Sequence, residues 1–252
     1  SLSVGKLNNV EMIKEIHFPN SIGLLYSAFT YFCGFKVNSG EYKLMGLAPY
    51  GENKYSHLIK KIIDIKEDGS FRMDQSYFDY STGFKMTSSK FNDLFKKEPR
   101  KPETKITQFY MDLASSIQNV TEEILLKILK SFRSEYNFQN LCLAGGVALN
   151  CVANGKLLDS KLFKKIWIQP AAGDAGGAIG AALAFWYQNL NKKRIISDSD
   201  SMRGSYLGPK FENKEVLNEL KKVGAKFKKI NSNDLVKKAV SYTHLTLPTS
   251  PK

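Results

Sequence analysis

The sequence is short of the residues on which many catalytic and metal centres depend. Its 252 residues include three histidines, His17, His57 and His244, and three cysteines, Cys33, Cys142 and Cys151. No cysteines have CxxC spacing and no histidines stand at metal-ligand spacing, so neither a zinc knuckle nor a disulfide framework is indicated. The cysteines lie among apolar or small residues and read as reduced core thiols. His17 and His57 are isolated and read as structural or surface residues, and no Ser-His-Asp or Cys-His arrangement can be assembled from so few. Also missing is any run approaching the roughly 18 consecutive apolar residues of a membrane span. The N-terminus does not read as a signal peptide, and a soluble, cytoplasmic protein is expected.

Negative charge is the other shortage: 37 Lys and Arg face 24 Asp and Glu, a net charge of +13. Such a balance invites a nucleic-acid partner, because clustered cations release counterions from phosphates. Here the cations come in scattered short groups, such as Lys96 to Lys101 and Lys221 to Lys229, without an RRM, KH or zinc-finger signature. They read as solvated helix faces. An anionic small molecule, such as a nucleotide, accounts for part of the bias equally well.

Apolar spacing predicts a buried helix within Phe18 to Phe35, on Leu24, Leu25, Ala28, Phe29 and Phe32. Glycines and Pro49 interrupt Asn38 to Gly51, which reads as a short helix or loop carrying Glu41 and Lys43. Residues 70 to 100 read as an insertion hairpin and short helix. A long amphipathic helix, expected to cover a sheet, runs from Ile106 to about Tyr136. Then strand, glycine loop and helix occur twice: Asn140 to Leu143 leads through Ala144 to Val147 to a helix, and Lys165 to Gln169 leads through Pro170 to Gly173 to another. Asn191 to Arg203 is polar and reads as a linker. Phe211 to Val223 reads as a helix and Lys226 to Ile230 as a strand opening a second domain. The run Val240 to Thr249, VSYTHLTLPT, fits none of this pattern and resembles translated sequencing-adapter sequence, so residues 240 to 252 are left outside the fold reading.

Gly145 and Gly146, between a strand and a helix, let backbone N–H groups approach an anion closely, or simply make a tight turn. The segment is neither a Walker A loop nor a GxGxxG fingerprint. Gly173, Gly176, Gly177 and Gly180 make a second side-chain-poor helix start. Gly173 and Asp174 there can meet a phosphate, a metal or both, and Asp174 also reads as an N-cap. Two such turns would form facing walls of a nucleotide cleft. Glu41 and Lys43 read either as an exposed ion pair or as cleft groups, Glu41 accepting a ribose hydroxyl or orienting an acceptor and Lys43 balancing phosphate charge.

Three segments, FPNSIGLLYSAFTYFCGFKVNSGEYKLMGLAPYG from Phe18 to Gly51, LCLAGGVALNCVANGKL from Leu141 to Leu157 and IQPAAGDAGGAIGAAL from Ile168 to Leu183, together resemble the carbamoyltransferase family that includes the nodulation protein NodU and antibiotic O-carbamoyltransferases. The resemblance extends over residues 1 to 235. It implies an α/β chain with a partial actin/sugar-kinase-like domain over 1–190, a linker over 191–203, and the beginning of a YrdC-like α/β domain over 204–239, from Ser205 to Phe211, SYLGPKF. It implies ATP-dependent formation of carbamoyl adenylate from carbamoyl phosphate, then transfer to a hydroxyl of a saccharide or other small-molecule acceptor. Carried onto this chain, it makes Asp174 the ligand of a divalent metal, Fe2+. Gly145, Gly146, Asn150 and Gly173 become adenylate contacts, and Glu41 and Lys43 catalytic cleft residues. The family's metal-binding histidine pair has no counterpart here. The resemblance also implies that the chain starts within the large domain, so that the fragment alone would be inactive. A sugar kinase of the same superfamily, with Asp174 as base, and a threonylcarbamoyl-transferring tRNA-modification protein are the alternatives.

Overall fold

A computed structural model describes residues 1–195 and 199–243. The chain divides into two units, Ser1–Ser197 and Asp198–Lys252. The first opens with an antiparallel hairpin, β1 (Leu2–Lys6) and β2 (Asn9–Lys14), followed by helix α1 (Ile22–Phe32). Ser21 caps α1 by accepting the Leu24 N–H at 3.2 Å. Leu25, Ala28, Phe29 and Phe32 of the expected stripe are fully buried, and Leu24 is half-buried.

Next come α2 (Glu41–Leu47), a 3-10 turn over Ala48–Tyr50, α3 (Ser56–Ile62), and a short antiparallel pair, β3 (Ile63–Ile65) with β4 (Phe71–Met73). The hairpin expected after residue 70 therefore pairs backwards in sequence; within 71–87 only the bridge Phe78↔Thr87 forms. Helix α4 (Ser89–Phe95) docks on α1 through aromatic rings: Phe91 lies 5.1 Å from Phe29 and 5.0 Å from Phe32. Buried Arg100 finishes α1. Its Nε donates to the Cys33 carbonyl at 2.6 Å and its Nη2 to the Gly34 carbonyl at 3.3 Å, satisfying oxygens that a helix end leaves open.

The long helix α5 (Gln108–Tyr136) is the axis of the unit. Leu113, Ala114, Ile117, Val120 and Ile124 join the core shared with α1, α2 and α3. Further along, Leu129 packs with Leu141, Leu157 and Phe163, so the helix does cover a sheet there. That sheet is a parallel pair, β5 (Asn140–Leu143) and β6 (Lys165–Ile168), in register from Asn140↔Lys165 to Leu143↔Ile168. Helix α6 (Cys151–Asp159) makes the crossover, and α7 (Ala175–Ala184) follows β6, running into a π turn over Phe185–Asn189.

The second unit holds α8 (Asn213–Lys222) and α9 (Ser232–Thr243). Glu212 and Glu215 close a capping box on α8. The strand expected over Lys226 to Ile230 does not form. The segment carries three lysines, and this unit has no strand among its described residues for it to pair with. Helix α9 reaches Thr243, into the run set aside from the sequence; the rest of that run lies outside the described residues. No described helix is long and apolar enough to cross a membrane. Among the thiols only Cys33 is buried; Cys142 and Cys151 are exposed, correcting their reading as core. The cause is position: Cys142 alternates away from α5 on β5, and Cys151 opens α6.

Candidate functional site

The two glycine turns leave the same ends of adjacent parallel strands. Gly145 N–H donates to the Ala172 carbonyl at 2.7 Å, and Gln169 N–H to the Leu143 carbonyl at 3.0 Å, so the loops after β5 and β6 are tied together. This is the carboxyl end of a parallel pair, where α/β proteins place their ligands. Gly145 stands at φ 95, ψ 162, a conformation open to glycine, and a Cβ there would meet nothing within 4 Å. The requirement for glycine is thus one of backbone conformation. Gly146, Gly173 and Asp174 are exposed, and the added Cβ of either glycine would also meet open space. Gly176 differs: its Cβ would lie 2.0 Å from the Ala171 carbonyl oxygen, so glycine there closes the turn into α7.

Beyond Gly145 a 3-10 turn, Gly146–Leu149, carries the chain to Asn150 and α6. Asn150 is buried and caps α6 by accepting the Ala153 N–H at 3.0 Å. Its amide pairs reciprocally with Gln118 of α5: Asn150 Nδ2 donates to Gln118 Oε1 and Gln118 Nε2 to Asn150 Oδ1, both at 3.0 Å. Tyr26 on α1 donates its hydroxyl to the same Gln118 Oε1 at 2.9 Å. Burial pushes the Tyr26 hydroxyl well above its ordinary pKa, so it stays a donor. Gln118 Nε2 also reaches Glu122 Oε1 at 2.8 Å, and the other oxygen of Glu122 ion-pairs with Lys156 of α6. Asn150 therefore spends its amide inside the protein, facing α5.

Glu41, in the first turn of α2, is similarly engaged. Its carboxylate accepts from Ser27 Oγ at 2.8 Å, Asn38 N–H at 2.9 Å and Gly40 N–H at 3.1 Å, holding the turn that leads into α2. Lys43 is exposed, and no ion pair joins it to Glu41 among the described residues. Helix α2 nonetheless lies beside the start of α6, where Met45 Sδ is 3.8 Å from Cys151 Sγ. The start of α1 also touches the glycine turn, since a Cβ on Gly23 would sit 3.5 Å from Val147 Cγ2. A cavity of about 640 Å³ is lined by Gly145 and Gly146 of the turn, Ser21 before α1, and Leu126, Leu129 and Leu157; no residue of α2 lines it.

Asp174 stands at the start of α7 with an exposed carboxylate that accepts no helix N–H, so it does not act as a side-chain cap. Among the described residues no three His, Cys, Asp or Glu side chains gather to hold a metal ion. A lone carboxylate does not fit a metal centre by itself. Sequence reasoning missed Gln118, Tyr26, Glu122 and Lys156. Their one signal was polar residues at i and i+4, Gln118 and Glu122, within the apolar length of α5.

Residues 1–183 match the family described as Carbamoyltransferase N-terminus, and the chain belongs to that family. It is 59% identical over 222 residues to the protein sll1178 of Synechocystis sp., an overlap of 88% of this chain and 36% of that protein. It is 37% identical over 171 residues to the nodulation protein NolO of Bradyrhizobium diazoefficiens, covering 67% of this chain and 29% of NolO. The nodulation protein NolNO of Sinorhizobium fredii is 36% identical over 183 residues, 72% of this chain and 25% of its own length. The chain thus spans about a third or less of each of these relatives.

Proposed function

We propose that the protein carrying this chain transfers a carbamoyl group, activated from carbamoyl phosphate and ATP as carbamoyl adenylate, to a hydroxyl of a saccharide or other small-molecule acceptor. The observation that supports the reading is the 2.7 Å bond between Gly145 and Ala172, which ties together two glycine turns at the carboxyl ends of paired parallel strands in a chain of the carbamoyltransferase family. On this reading the large domain is actin-like and the second unit begins a YrdC-like domain.

Activation, with one water, releases phosphate from carbamoyl phosphate and pyrophosphate from ATP; in the transfer step the acceptor oxygen bonds to the carbamoyl carbon, the bond from that carbon to the adenylate phosphate oxygen breaks, and the hydroxyl proton passes to water. The adenylate leaves as an anion. Side-chain-poor turns at Gly145, Gly146 and Gly173 let its phosphate approach backbone N–H groups, and the starts of α6 and α7 favour its charge. Exposed Lys43 is a cleft residue balancing phosphate charge, while Glu41 shapes the turn beside it. Among the described residues Asp174 stands alone as a carboxylate at the start of α7, which does not make a site for a divalent cation such as Fe2+, and no step here rests on that ion. Neither the sugar-kinase nor the tRNA-modification reading is favoured by the family match.

The test compares wild type with Gly145→Ala in the protein expressed from its complete gene, supplied with ATP and radiolabelled carbamoyl phosphate. Strain at a glycine-only conformation, about 1–3 kcal/mol, is expected to displace the turn and lower transfer by on the order of tenfold. Unchanged transfer in a folded Gly145→Ala protein would overturn the assignment.

A further inference from the structure

The first turn of α6 and the glycine turn before it contribute little apolar packing. In α6 only Ala153 and Leu157 are buried, and in the 3-10 turn only Ala148. Besides Leu157 in the core beside Leu129 and the Gly145–Ala172 backbone bond, what holds them is polar. Within the turn, Asn150 N–H bonds to the Val147 carbonyl at 3.0 Å and Asn154 Nδ2 to the Ala148 carbonyl at 2.7 Å, so the turn moves with Asn150 and α6. The helix is in turn held to α5 at two points, by the Gln118–Asn150 amide pair at its start and by Glu122–Lys156 further along. Gln118 and Glu122 are each only 4% exposed, and Gln118 is also bonded to Tyr26 of α1. Apolar packing tolerates sliding, whereas a reciprocal amide pair closes in one register and leaves buried unpaired groups in any other.

We infer that Gln118 is a positioning residue for the anion-binding turn: through Asn150 it sets where Gly145 and Gly146 stand relative to α5. The inference rests on the site reading above. It assigns Gln118 no contact with substrate, and it assigns Asn150 a part in placing the adenylate through its grip on the turn.

The test measures AMP affinity by calorimetry, with thermal midpoint in parallel, in the protein expressed from its complete gene. Gln118→Leu removes the amide pair at similar volume. Asn150→Ser keeps a good helix cap but is too short to reach Gln118, so it serves if the first variant fails to fold. Tyr26→Phe is the comparison for stability alone, since it deletes one hydrogen bond to Gln118 and leaves the pair intact. Gly145→Ala tests the site itself. AMP affinity is expected to fall on the order of tenfold in Gln118→Leu and Asn150→Ser and to hold in Tyr26→Phe. If Gly145→Ala weakens AMP while Gln118→Leu and Asn150→Ser do not, Gln118 has only a structural role. If Tyr26→Phe loses affinity in step with stability, as the others do, the same conclusion follows. Should Gly145→Ala leave AMP binding intact, the site reading itself fails and the inference falls with it.

Discussion

Two glycines five positions apart should respond to alanine with opposite signs. Gly46 lies inside α2, exposed, and a Cβ there meets nothing within 4 Å. Replacing it removes unfolded-state freedom and is expected to stabilise by about 0.5–1 kcal/mol. Gly51 ends the following 3-10 turn, and its Cβ would lie 2.0 Å from the Met111 carbonyl oxygen and 2.5 Å from the Asp112 backbone nitrogen. Both obstacles are backbone within α5, which no rotamer change can move. The loop must then retreat by about 1 Å or more to restore van der Waals separation. That retreat breaks what docks it: Glu52 N–H to Asp112 Oδ1 at 2.9 Å and Tyr55 N–H to Ser116 Oγ at 2.8 Å. A bond to a buried carboxylate is worth about 1.5–3 kcal/mol and a neutral one about 1, so Gly51→Ala should cost about 3 kcal/mol. Urea unfolding of both variants measures the difference, provided m stays at the wild-type value. A Gly51→Ala protein within about 1 kcal/mol of wild type would refute the close-approach argument.

Further outcomes follow from buried groups. Burial pushes the Asp112 carboxyl up, but the Glu52 N–H, the Gln108 amide and the Lys54 ammonium outweigh it and hold its pKa below the ordinary value. Its lowered folded-state pKa adds stability that is present above the unfolded value, about 3.9, and is lost as pH falls through the folded one. An acid titration of stability should therefore be flatter in Asp112→Asn than in wild type below about pH 4. Arg100→Ala is expected to destabilise by about 3 kcal/mol, since it strands the buried Cys33 carbonyl and the partly buried Gly34 carbonyl. Arg100→Lys should recover little, because an ammonium cannot reproduce the guanidinium fork; full recovery by Lys in thermal melts would refute that account. Burial raises the Cys33 thiol to about 12. Iodoacetamide at about pH 8 should leave Cys33 unlabelled until denaturant is added, as peptide mapping would reveal.

The elements legible in the sequence were those whose burial is one-sided and regular. The stripe from Leu113 to Ile124 and the repeated strand-loop-helix around Gly145 and Gly173 announce themselves by period and glycine placement, and both form. The hairpin β1–β2 gave a weaker signal: Leu2, Val4 and Ile13 are its less exposed apolar residues, none of them buried, while Val10 and Met12 stay exposed, so the alternation is short and does not continue through β2. Gly51 looked like a break in periodicity, though its reason is a backbone contact with a helix far along the chain. Candidate site residues separated in the same way. Conformational demand at Gly145 is a local property and readable, whereas the engagement of Glu41 by Ser27 and of Asn150 by Gln118 depends on how helices dock. Composition lists the polar groups; only packing decides whether they face a ligand or each other.

The most direct test of carbamoyl transfer at this site is product analysis of the protein expressed from its complete gene, given ATP, carbamoyl phosphate and a panel of hydroxylated saccharides. The account predicts AMP, with the carbamoyl label on an acceptor hydroxyl and the transfer reduced in Gly145→Ala. ADP together with a phosphorylated saccharide would contradict it and make the protein a kinase.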